Sequence, residues 1–161
     1  MNAFGTALER HLTTLVNDIF TTVEGVPDDQ FNTWKPAAAR DDGHEMNTFA
    51  AILIHVVSAG EFMTVHAVGG EPSNRVREGE FSATGSLAEI RARYERWLHG
   101  MHALLEGLSY EDLGRQTTEP RYQALDWKVA DVLLHALDHT ALHVGHLQVQ
   151  RQLWEAERAQ S

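Results

Sequence analysis

The chain has no cysteine. This absence excludes disulfides, thiolate metal sites and a cysteine nucleophile, so any thiol chemistry would need an external thiol. Basic residues are also scarce. The chain has 13 Lys and Arg and 23 Asp and Glu, which gives a net charge of −10 with histidine neutral. Such a surface repels phosphate backbones and anionic lipids. We therefore expect neither nucleic acid nor a membrane as a partner.

Several catalytic motifs are missing as well. The sequence contains no glycine-rich phosphate loop, no Gly-x-Ser-x-Gly elbow and no Glu-x-x-His of the kind that carboxylate-bridged di-iron bundles use. His44-Glu45 begins like a zinc protease motif, but the second histidine that the motif requires does not follow. These absences exclude the common nucleotide-binding, serine hydrolase and zinc protease sites.

No targeting segment is visible. The N-terminal residues lack a basic start followed by an apolar stretch, which argues against a signal peptide. The most apolar run, Phe49 to Val68, has the length of one membrane span but contains His55, Glu61 and His66. We interpret it as a buried core helix and expect a soluble cytoplasmic protein.

The apolar periodicity predicts helices and no strands. With 161 residues and 43% apolar composition, the chain has the size of a single domain over residues 1–161. Apolar residues recur at steps of three and four in four stretches, which run from about Ala3 to Val23, from Asn47 or Thr48 to Val68, from a Ser86–Glu89 capping box to Gly107, and from near Asp126 to about Glu155. We predict an all-α four-helix bundle with a long connection between the first and second helices, the second helix lying deepest.

Ten histidines are the unusual feature, and four of them share one face of the last helix. His135, His139 and His143 are spaced by four residues, and His146 follows by three. In a helix they fall within an arc of about 80°. A lone buried histidine is usually a hydrogen-bonded core residue, but imidazoles four apart can reach one ion together. The cluster borders a separate apolar stripe, formed by Val129, Leu133, Ala136, Thr140, Val144 and Leu147. We therefore predict metal or proton chemistry on this face.

A metal site needs a third protein ligand, and His55 is the best candidate. It lies inside an apolar run, where an unpaired polar group would be costly. His66 is the runner-up, almost three turns further along the same face, although a capping role suits it better. For His135 and His146, packing or support of a ligand is as plausible as ligation. The remaining histidines look like surface or helix-end residues, namely His11, His44, His99 and His102.

Three segments resemble the DinB-like (YfiT-type) metal-dependent four-helix bundle family over nearly the whole chain. They are DDQFNTWKP at 28–36, ILIHVVSAGEF at 52–62 and LLHALDHTALHVGHLQVQRQLW at 133–154. The last resembles the family pattern H-x-x-x-H-x-x-H-H-x-G-Q, with Leu142 replacing one histidine and His146 replacing the glutamine. The resemblance implies that His55, His139 and His143 bind one divalent ion.

These observations predict a Zn²⁺- or Ni²⁺-class ion on three neutral imidazoles, with one to three positions open and no other cofactor. Imidazole suits several metals, so the ligands do not name the ion. The resemblance implies transferases and isomerases that use thiols such as bacillithiol, mycothiol or glutathione. We expect metal-bound thiol to attack a small electrophilic substrate, with His135 and His146 as supporting residues, in a possible homodimer.

Two alternatives stay open at this point. Metal-bound water could hydrolyse a substrate in the same pocket, or the protein could be a non-catalytic stress-response protein with a structural metal. A pocket beside the ion would favour an enzyme, and a closed shell of four histidines that includes His146 would favour the structural role. In each case metal affinity should fall as the pH drops through about 6, near the reference pKa of imidazole.

Overall fold

The structure is a computed structural model that describes residues 1–36 and 46–160. Within these ranges the chain is all-α, as predicted, and its β-structure is limited to an isolated bridge between Gln116 and Lys128. The number of helices is larger than predicted, because the described residues form seven α-helices. Four are long: α1 Ala3–Thr22, α3 Phe49–Glu61, α5 Leu87–Gly107 and α7 Val129–Ala159. Three are short: α2 Asp28–Thr33, α4 Arg77–Glu80 and α6 Pro120–Gln123.

The four long helices pack around one apolar core. Helix α1 packs against α5 and α7, and α3 packs against the same two helices. Helix α3 is the most buried, as its sequence predicted, and it continues into a π-helix over Phe62–Val68 that packs against α7. The long connection between α1 and α3 contains α2, and His44 lies in the part of it outside the described residues.

The helix boundaries follow local capping chemistry. The Thr48 side chain accepts a hydrogen bond from the Ala51 amide and starts α3, and the predicted Ser86–Glu89 capping box starts α5. Helix α7 starts a few residues later than predicted. The reason is that Asp126 has a left-handed backbone (φ 55°), which turns the chain before the N-cap residue Lys128, whose amide donates a hydrogen bond to Asp131 Oδ2.

Within residues 1–36 and 46–160, one helical stretch has the length and composition of a membrane span, and it is the core stretch Phe49–Val68. The fold itself covers most of this stretch, since 72% of its most apolar window is buried. That burial is typical of the core helix of a soluble protein, and it agrees with the interpretation of the sequence.

Candidate metal centre

Helices α3 and α7 bring three histidines together. His55 projects from α3, and His139 and His143 project from consecutive turns of α7. One ring nitrogen from each residue lies within 4.8 Å of the other two, and the Nε2 atoms of His55 and His139 are 3.2 Å apart. The spacing of four residues places the α7 pair on one face, and the packing of α7 against α3 adds the third imidazole.

The donor set fits a divalent cation. Tetrahedral zinc sites with metal–nitrogen bonds of about 2.0–2.1 Å bring ligand nitrogens to roughly 3.3 Å from one another. Two neutral imidazole nitrogens can share at most one proton, whereas a cation accepts a lone pair from each. In addition, the Nδ1 atoms of His139 and His143 are buried and have no hydrogen-bond partner in the described structure. The site therefore contains more imidazole nitrogens than the hydrogen bonds of the described residues can pair.

The three imidazoles are neutral at physiological pH. Burial, together with His143 and His55 nearby, lowers the pKa of His139 to about 3. Burial, together with His55 and His146, lowers the pKa of His143 to about 4. Burial also lowers the pKa of His55, although the hydrogen bond to Glu80 partly opposes it. Neutral imidazole is the form that binds metal, so no proton has to be displaced from these rings near pH 7.

A buried carboxylate orients His55. The Nδ1 atom of His55 lies 2.7 Å from Glu80 Oε2, and Arg75 donates to both oxygens of the same carboxylate, at 2.6 and 2.9 Å. Burial alone would raise the pKa of Glu80, but the hydrogen bonds from Arg75 and His55 outweigh it and lower the pKa. An ionised Glu80 accepts the Nδ1 proton, which leaves the Nε2 lone pair of His55 directed toward His139.

Sequence reasoning missed Glu80 and Arg75, because residues 71–83 are mostly polar and lie between the second and third predicted helices. In the structure α4 interrupts this link and places the Glu80 carboxylate against α3 with only 6% of the residue exposed. No local pattern marks this pairing, since the His55–Glu80 contact depends on how the link folds back onto α3. A carboxylate in a polar segment is ordinarily solvated.

The other candidate histidines lie around or away from the centre. His135 is half-buried, with its ring centroid 5.1 Å from that of Trp127. His146 is exposed and contacts the His143 ring at 5.2 Å between centroids, but it is outside the group of three. His66 Nδ1 lies 2.9 Å from the Glu71 carbonyl and lines a different cavity. Among the predicted surface residues, His11 and His99 are exposed and His102 pairs with Glu9 at 2.6 Å.

A pocket of about 210 Å³ opens beside the histidines. His55, His139 and His135 form one wall, and Ala59, Met63 and Tyr122 supply apolar surface. Three arginines complete the lining: Arg75, Arg77 and Arg121. The arrangement can hold a small molecule against an ion bound by the three imidazoles.

Comparison with known protein families gives a match over most of the chain. The model of the DinB superfamily matches residues 11–147, a range that contains His55, His139 and His143. No curated protein matches the chain. Because the match covers most of the sequence and the fold is all-α as expected, the chain belongs to the DinB superfamily.

Proposed function

We propose that this protein is a divalent-metal-dependent transferase that activates a low-molecular-weight thiol for attack on an electrophilic small molecule. His55, His139 and His143 are the proposed metal ligands, and a Zn²⁺- or Ni²⁺-class ion is the proposed cofactor. One observation carries the proposal: three neutral imidazoles converge, and two of them, His55 and His139, line a pocket of about 210 Å³. A ligand set with a pocket beside it is the arrangement of catalytic metal sites.

The residues at the site indicate what the ion and the protein would each contribute to the reaction. A bound divalent ion would act as a Lewis acid that lowers the pKa of a thiol or water beside it. The three imidazoles contribute no charge of their own and so leave the charge of the ion undiminished. The Arg75–Glu80 pair holds His55 in the tautomer that ligation needs. The protein supplies no thiol nucleophile, because it has no cysteine.

The two alternatives are a metal-dependent hydrolase and a protein with a structural metal, and each would use the histidine site differently. Hydrolysis would use the same pocket with water in place of the thiol, so only a comparison of reactions separates the two. A purely structural metal would favour a shell closed by a fourth histidine. The exposure of His146 outside the group of three, together with the open pocket, supports an enzyme instead.

The proposed cellular setting follows from the chemistry. Low-molecular-weight thiols are kept reduced in the cytoplasm, so a cytoplasmic protein suits the proposed reaction. Partners are then the thiol and the electrophile, with neither nucleic acid nor membrane involved. A homodimer stays a prediction, which sedimentation of the purified protein tests.

Metal content of tag-free protein tests the ligand assignment. We expect His55→Ala, His139→Ala and His143→Ala each to lose the bound ion at neutral pH, because two imidazoles hold it far more weakly than three. His11→Ala is the matched control, since His11 is exposed on α1 and should keep full occupancy. Full occupancy in His139→Ala would contradict the assignment.

A screen of thiols against electrophiles tests the reaction itself. We expect the metal-loaded protein to consume thiol and electrophile in equal amounts, and the three alanine variants to be inactive. Turnover of the electrophile without thiol would identify a hydrolase. Absence of either reaction, with the metal fully bound, would favour the structural role.

A further inference from the structure

We propose that the pocket beside the three histidines is an anion site, in which Arg77 and Arg121 bind an oxyanionic group, such as a carboxylate, of the small-molecule substrate. The inference rests on the proposed function in that it assigns a substrate class to the same pocket. The anionic group belongs either to the thiol or to the electrophile, and the experiment below separates these sources.

The pocket is lined by positively charged side chains, whereas the molecule as a whole is negatively charged. The chain carries a net charge of −10, yet three of its 13 basic residues line this one pocket. Arg75 and Arg77 come from the segment around α4 and Arg121 comes from α6, so two distant parts of the chain deliver them to the same place. Among the described residues, no carboxylate lines the pocket. A local positive field in an acidic protein draws anions to that point.

Two of the three arginines have unused hydrogen-bonding capacity. Arg75 is committed to Glu80, which it contacts through Nε and Nη2. By contrast, Arg77 lies over the Phe81 ring at 5.1 Å, and Arg121 lies over the Tyr122 ring at 5.6 Å. Neither forms an ion pair with a carboxylate in the described parts of the chain. A guanidinium group that packs on an aromatic ring is held in place while its N–H fork stays available for a planar oxyanion.

The charge balance singles out these two residues. Glu80 compensates Arg75, and the histidines are neutral, so the positive charges of Arg77 and Arg121 are the uncompensated ones in the pocket wall. Both residues are exposed at the rim, where an entering ligand can reach them. A substrate that places one group toward His55 and His139 would then place an anionic group toward the arginines. A neutral or cationic substrate would leave both guanidinium groups without a partner.

Calorimetric titration of the zinc-loaded protein at low ionic strength tests the inference. The probes are glutathione, which has two free carboxylates, its diethyl ester, which keeps the thiol but not the carboxylates, and succinate, which has carboxylates and no thiol. The test protein is the double variant Arg77→Gln/Arg121→Gln. The control is Arg10→Gln/Arg96→Gln, which removes the same charge from exposed positions on α1 and α5. Zinc content and circular dichroism are measured for every protein.

We expect the test variant to bind glutathione, succinate or both at least about tenfold more weakly than wild type, because it loses two charge-assisted contacts. The control variant should bind like wild type, and the ester should bind equally to all three proteins. Zinc content should not change, since in the described structure the side-chain hydrogen bonds of the proposed ligands do not involve either arginine. An effect on glutathione alone would place the anionic group on the thiol. An effect on succinate alone would place it on the other substrate.

Other outcomes overturn the inference. The inference fails if the test variant binds glutathione as tightly as wild type does and also binds succinate as tightly as wild type does. It also fails if wild type binds neither anion at millimolar concentration. The proposed function fails differently: if wild type holds no metal but binds succinate through the two arginines, the anion site stands and the metal-dependent reaction does not. Conversely, if glutathione and succinate both bind independently of the two arginines, the thiol reaction stands and the anion site does not.

Discussion

Glu80 connects α4 to the proposed metal centre. It accepts a hydrogen bond from His55 Nδ1–H and two more from Arg75. We expect Glu80→Ala to weaken zinc affinity about 10–100-fold, the usual effect of removing a partner that orients a histidine ligand. Competition with a chelator at fixed pH measures the change. Glu78→Ala, at an exposed position on the same short helix, is the control.

Glu80→Ala also leaves the Arg75 charge without its partner, so a loss of folding stability must be separated from a loss of metal affinity. Glu80→Gln separates them, because the amide can still accept a hydrogen bond from His55 while the charge is lost. We expect this variant to bind zinc with intermediate affinity. Wild-type affinity in both folded variants would show that the carboxylate does not act on the metal.

His146 is one of the two residues at which the chain departs from the family pattern, the other being Leu142. It is exposed and touches the His143 ring without joining the group of three nitrogens. We therefore expect His146→Gln to retain full metal content and to change only the rate or the substrate preference. Metal analysis and the thiol screen measure these two effects. Loss of metal in His146→Gln would mean that the protein supplies a fourth ligand.

At the scale of the secondary-structure elements, the packing of α5 against the C-terminal end of α3 depends on the contact between Gly60 and Trp97. A Cβ atom added to Gly60 would overlap with Trp97 Cζ2, so only glycine lets the indole of α5 pack against α3 there. The same indole donates a hydrogen bond to Thr64 Oγ1 at 3.0 Å, inside the π-helical turn. We expect Gly60→Ala to destabilise the fold by about 1–3 kcal/mol through overpacking.

Gly145 provides the matched control for this prediction. It lies inside α7, and a Cβ atom there would meet no other atom within 4 Å. Gly145→Ala should therefore stabilise the protein by up to about 1 kcal/mol, because alanine favours a helix more than glycine does. Urea denaturation of the metal-free proteins measures both changes. The same sign for the two substitutions would contradict the packing argument.

At the scale of the whole molecule, the histidine cluster makes stability depend on pH. The pKa values of His139 and His143 are about 3 and about 4 in the folded protein, and imidazole in an unfolded chain titrates near about 6.5. Between these values the unfolded state binds more protons, so the free energy of unfolding falls as the pH is lowered from about 6.5 toward 4. Above that range the two histidines add no pH dependence.

Urea denaturation of the metal-free protein across this range measures the effect. The double variant His139→Gln/His143→Gln should lose less stability on acidification than wild type does. The control His11→Gln/His99→Gln, which changes two exposed residues, should follow wild type. Equal pH dependence in the test variant and wild type would show that the two rings titrate normally in the folded state.

The same pKa values change the expected pH dependence of metal binding. The sequence predicted a fall in affinity through about pH 6, on the basis of free imidazole. In the structure, burial moves proton competition at His139 and His143 down to about pH 3–4. Folded protein should therefore retain zinc through about pH 5, until acid unfolding releases it. Zinc release that follows a pKa near 6 in fully folded protein would contradict this expectation.

The sequence by itself determined the helices and the face on which the chemistry lies. Periodicity and caps are local properties, so the long helices, the Ser86–Glu89 capping box and the histidine face of α7 could be read directly. His55 could be singled out because a polar residue in an apolar run needs a partner. Only the tertiary structure decided what surrounds these residues. Glu80, Arg77 and Arg121 lie in polar segments that resemble solvated links, and their positions depend on long-range folding of those links onto α3 and α7. Burial, which shifts the histidine pKa values, is likewise a property of the packed molecule and not of any segment of the chain.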